Sequence, residues 1–105
     1  MFTLNNKDYR LHYTIDRLKM IEARTGKSVV GEFVQSNGAL PFASVEAHFS
    51  YALICDSDNP DAYVSPKTGV EIADKYMEQA GYMAACDLIA TELQSGQMGF
   101  LFRRN

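Results

Sequence analysis

The chain has 105 residues, a hydrophobic fraction of 47%, a charged fraction of 22% and a formal net charge of −3. That length suits one domain with one core, and the balance is that of an ordinary globular protein, not of a disordered or strongly basic one. No stretch is apolar for long enough to span a bilayer or form the core of a signal peptide, and the acidic balance argues against nucleic acid as a partner, so a cytoplasmic protein is expected.

Phe2 and Leu4 flank Thr3 at strand spacing, and Asn5-Asn6-Lys7-Asp8 reads as a turn. Tyr9, Leu11 and Tyr13 then alternate with Arg10 and His12, the period of a half-buried strand. A β-hairpin is expected, and because a lone hairpin is marginal in water it must lay its apolar face on helices.

The period changes at Thr14, which can cap a helix over Ile15–Thr25 with Ile15, Leu18 and Ile21 as its apolar stripe. Gly26 is placed to end that helix in the left-handed conformation, and Ser28 to cap the next. The second helix is expected over Val29–Ser36, with Val30, Phe33 and Val34 facing inward, until Asn37-Gly38 stops it.

A third helix starts near Pro41, since proline is accommodated in a first helical turn. Phe42, Val45, Phe49, Ala52 and Leu53 give it a broad apolar stripe to about Cys55, making it the expected central core helix. The segment from Asp56 to Gly69 is the one long polar loop, although Ser65-Pro66 reads as the cap and first residue of a fourth helix. Val70, Ala73 and Met77 form the inward side of that helix, and Gly81 breaks it. Tyr82, Ala85, Leu88, Ile89 and Leu93 carry a fifth helix to about Gln94.

The fold class expected is α+β, mostly α: an N-terminal β-hairpin packed on a bundle of four or five short helices. Residues 1–95 make one globular domain, and residues 96–105 a C-terminal tail.

No catalytic constellation emerges. Gly26-Lys27-Ser28 matches the end of a phosphate-binding loop, but Ile21 stands where the opening glycine is needed and lies inside a strongly periodic helix. Asp56, Asp58 and Asp61 have the early spacing of a calcium loop, but Asp61 and Lys67 occupy the positions of the required glycine and glutamate. His12 and His48 fit no metal-ligand spacing and are read as surface or rim residues. Cys55 and Cys86 sit in apolar helical runs and are read as reduced core thiols. No metal and no cofactor is expected.

A strand ending in YRLHY (residues 9–13), an ID-x-L-x-x-IE helix (15–22), a TGKS corner (25–28) and a short V-x-x-F helix (30–33) stand in succession. This succession resembles the tail assembly chaperones of long-tailed bacteriophages and the related tail proteins of gene transfer agents, over about residues 2–95. The resemblance implies a non-enzymatic cytoplasmic assembly factor that binds the tape-measure protein and the tail-tube protein and forms homo-oligomers. The alternative is a small helix-turn-helix-like nucleic-acid-binding regulator, with the corner at residues 25–28 as its turn. Against it, the helix VVGEFVQS carries no lysine or arginine to reach bases or phosphates.

Charge is unevenly placed. Residues 1–36 carry six basic and four acidic side chains, and residues 37–105 carry four basic and nine acidic ones, a polarity that suits head-to-tail contact between copies. The residues singled out for interaction are Phe100, Leu101, Phe102, Arg103 and Arg104. Three large apolar side chains beyond the last periodic helix seek burial. They can fold back on their own domain, or dock on a neighbouring copy or a partner with Arg103 and Arg104 reaching acids on the rim. Self-association is the favoured use, for instance by adding an extended strand to the edge of the Phe2–Tyr13 hairpin.

Overall fold

The computed structural model describes residues 1–102. The hairpin consists of β1 (Phe2–Leu4) and β2 (Lys7–Leu11), paired antiparallel with Phe2 opposite Tyr9 and Leu4 opposite Lys7. Only Asn5 and Asn6 form the loop, and both have positive φ, 52° and 66°. Two left-handed residues give a turn whose twist matches that of the strands, so Lys7 and Asp8 belong to β2 and not to the turn. Phe2, Leu4, Tyr9 and Leu11 are buried on one face, as the alternation requires.

α1 (Ile15–Thr25) and α2 (Val29–Gln35) follow. The Thr14 hydroxyl accepts from the Arg17 amide at 3.2 Å. Gly26 has φ 72° and donates its amide to the Glu22 carbonyl, closing α1. The Ser28 hydroxyl accepts from the Gly31 amide at 3.0 Å, and the Glu22 carboxylate accepts from the Val29 amide at 2.7 Å. The corner is therefore two caps back to back, with every residue of Gly26-Lys27-Ser28 used in ending one helix and starting the next.

Two helix faces differ from the expected ones. Leu18 and Ile21 are buried, but Ile15, in the first turn of α1, is exposed. On α2 the buried residue is Val29; Val30 and Phe33 are half-buried, and Val34 is 65% exposed. Four of the seven residues of this two-turn helix are apolar, so its own pattern does not choose which of them face inward, and the corner before it sets the rotation.

α3 (Phe42–Ala52) is the central helix, packed by α1, α4 (Pro66–Ala80) and α5 (Tyr82–Ser95). Because neighbours surround it, Ser44, Ala47, His48 and Ser50 are buried along with Val45, Phe49 and Ala52. His48 is thus a core residue, not a rim residue. Phe42, expected in the core stripe, is 64% exposed, although Ser44 and Val45 in the same turn are buried, because it opens the helix on a side that the neighbouring helices leave largely uncovered.

α3 does not continue to Cys55. At Leu53 the backbone turns extended (φ −82°, ψ 132°), and Leu53–Cys55 form β3, paired antiparallel with β2 through Leu11–Leu53 and Tyr9–Cys55. The hairpin is therefore two strands of a three-stranded sheet in the order β1-β2-β3. The outer edge of β3 is covered by a bridge from Ile54 to Tyr63 and by the Val64 amide donating to the Leu53 carbonyl.

The polar loop after β3 is tied to β2. Arg10 donates through Nε to Asp56 Oδ1 at 2.8 Å and through its terminal nitrogen to the Pro60 carbonyl at 2.9 Å. Lys7 pairs with Asp58 at 2.9 Å, which holds the Asp58 carboxyl below its ordinary range. Ser65 caps α4, with Pro66 in its first turn. Gly69, read as the last residue of the loop, lies inside α4, buried against the backbone of α3. Ile72 and Ala73 are buried further along, while Val70 and Met77 are half-buried.

Candidate functional site

Helical elements bring few titratable groups together. Tyr13 and His48 share a buried hydrogen bond, Oη to Nδ1, of 2.8 Å. Burial pushes the His48 imidazole down to about 4, partly offset by the charge of Glu32, and pushes the Tyr13 phenol well above its ordinary value. The pair is sealed in the core, where it holds the end of β2's chain against α3 and meets no substrate. The nearby Asp74 carboxyl of α4 raises the Glu46 carboxyl of α3, with burial adding to the effect and Arg24 opposing it. Among the described residues no three His, Cys, Asp or Glu side chains converge as a metal site would need. Cys55 and Cys86 are both buried and free.

The surface is indented at the helix corner. A cleft of about 530 Å³ runs along α2 and the connector to α3, lined by Lys27, Ser28, Gly31, Glu32, Gln35, Ser36, Ala39 and Pro41. A smaller hollow of about 190 Å³ shares Lys27 and Pro41 and continues past Arg24 and Thr25 to Ala43 and Glu46. The connector is shaped by Asn37 and Gly38, with φ 57° and 87°. It is anchored by Leu40, which is fully buried and whose carbonyl accepts a hydrogen bond from the Tyr82 hydroxyl. Phe42 stands at the end of this band, its ring edge-on to Tyr82 at 5.1 Å. Val34 lies on the outer side of α2, beside the cleft residues in sequence.

Glu32 forms part of the cleft wall. Its side chain is 11% exposed, and Lys27 Nζ lies 3.2 Å from Oε2. The approach is close enough for Coulomb attraction but out of hydrogen-bonding alignment, and no donor among the described residues completes that oxygen. Reading by periodicity cannot find this pairing, because Lys27 lies outside the helix that carries Glu32.

The C-terminal residues singled out in the sequence separate. Gln97–Phe102 form a 3₁₀ helix running back along α5. Leu101 and Phe102 pack partly buried against the core together with Met98, and the Phe102 ring meets Phe33 of α2 edge-on at 5.6 Å. Phe100 is 41% exposed. The segment is helical, not extended, so it does not add a strand to the sheet here. Arg103 and Arg104 lie outside the described residues.

Set beside known proteins, the chain matches no family model, no curated protein and no solved structure. No helix of the described residues is long and apolar enough to cross a membrane.

Proposed function

We propose that the chain is a non-enzymatic assembly factor of the phage tail chaperone type, binding tape-measure and tail-tube proteins in the host cytoplasm and associating with its own copies. Two things support this reading: the succession of strand, helix, corner and short helix over residues 9–33, and the surface at that corner. The second carries more weight. Val34 and Phe42, each next in sequence to a residue lining the cleft, are roughly two-thirds exposed, and large apolar side chains held out of a well-formed core offer a contact surface to another protein. Nothing at that surface resembles a nucleophile beside a base, so its chemistry is that of recognition.

The test is direct binding to purified tape-measure and tail-tube proteins from the same genetic locus, followed by size-exclusion chromatography. Co-elution with one or both is expected. A Val34→Asp/Phe42→Asp variant should lose the complex while keeping the circular dichroism and melting temperature of the parent. No co-elution with either protein, or co-elution untouched by the double substitution, overturns the reading.

A further inference from the structure

We propose that the α2 cleft is a receptor for a guanidinium group on an alkyl stem, with Glu32 as the residue that takes it. This goes beyond the assembly reading and does not depend on it. Glu32 Oε2 is withdrawn from water yet lacks a hydrogen-bond donor among the described residues. A carboxylate oxygen so placed is an acceptor waiting for a donor. Lys27 supplies charge without the bond, from a side chain that is more than half exposed, and can swing into solvent at little cost.

A guanidinium fits this vacancy better than an ammonium. Its planar fork offers several donors with fixed directions, which suits a carboxylate with an oxygen free to accept. Ala39 and Pro41 give the cleft an apolar wall for the stem, and Gln35 and Ser36 add polar atoms to its lining. The volume of about 530 Å³ accommodates a group of this size with room for part of a backbone. Binding therefore works by exchange: the incoming cation bonds Glu32 and Lys27 withdraws.

The experiment follows backbone amide shifts of Gly31, Glu32 and Ser36 while the full chain is titrated with acetyl-arginine-amide and with its neutral isostere acetyl-citrulline-amide. The arginine probe should saturate with a Kd on the order of 1 mM, ordinary for a ligand of this size, and the citrulline probe should not. Glu32→Gln should weaken the arginine probe at least tenfold. Lys27→Ala should strengthen it severalfold, because the resident competitor is gone; Lys19→Ala, on α1 and with the same change in net charge, should not. This last contrast stands even if Glu32→Gln fails to fold. Equal binding of both probes overturns the proposal, as does an unaltered affinity in folded Glu32→Gln or equal gains in the two lysine variants. An arginine in a polypeptide and a free alkylguanidine share this chemistry. Tighter binding of acetyl-Ala-Arg-Ala-amide than of ethylguanidinium assigns the site to a polypeptide, and the reverse order assigns it to a small molecule.

Discussion

His48 shows what a single buried side chain imposes. Fully enclosed on α3 and bonded to Tyr13, it stays neutral far below the pH at which an exposed histidine would protonate. Its folded value of about 4 lies below the ordinary 6.5, so between those values the unfolded chain binds more protons than the folded one. The stability tied to a neutral His48 is complete above pH 6.5 and is lost as pH falls toward 4. The span corresponds to about 3 kcal/mol, about 2 of it gone by pH 5. Urea unfolding at pH 7 and pH 5 should show this loss in the parent and a much smaller one in His48→Gln. Equal losses would mean that other groups carry the acid sensitivity. The sequence left His48 at the rim because it stands beside Phe49, and only a helix packed by several neighbours buries both.

At the scale of elements, the contact of α3 with α4 depends on the absence of one side chain. A Cβ at Gly69 would sit 2.4 Å from the Phe49 carbonyl oxygen and 2.6 Å from Ser50 Cα. Both are backbone, which cannot step aside as a side chain tip can, so the helices must part. The Ser50 hydroxyl, donating to the Pro66 carbonyl at 3.1 Å, bonds the same turn of α4 to α3 and would be pulled out of place. Gly69→Ala should therefore destabilise by about 2–3 kcal/mol, in the range of an overpacked core, although alanine is the better helix former. A denaturation midpoint equal to or above the parent's would refute that close approach. Gly69 ends a polar stretch in the sequence, and nothing local distinguishes a glycine at a helix crossing from one in a loop.

For the molecule as a whole, the uneven charge is largely settled inside one chain. Lys7 and Arg10, from the basic first third, are paired with Asp58 and Asp56 from the acidic remainder. The polarity read from the sequence thus pins the loop after β3 to β2, and fewer charges remain to guide one copy to another. The C-terminal segment likewise contributes to the fold it follows. Met98, Leu101 and Phe102 lie partly buried against the core. Removing residues 97–105 should lower stability by about 3 kcal/mol, the worth of three such side chains at about half burial. Calorimetric melting of the truncated chain checks this, and an unchanged midpoint would show that the segment adds nothing.

Local chemistry sufficed for the elements whose ends are capped. Thr14, Gly26, Ser28 and Ser65-Pro66 each act through bonds made within a few residues, and the helices they bound lie where those residues place them. The mostly α architecture with a sheet at its N-terminus was legible for the same reason. Tertiary structure alone decided β3, the burial of His48, the outward turn of Val34 and Phe42, and the cleft with Glu32 in its wall. Leu53–Cys55 is apolar on every residue, so no period separates a strand from a last helical turn; pairing with β2 chooses. Lys27 stands just before the Ser28 cap and Glu32 in the first turn of α2, so they meet through that cap and outside any helical period.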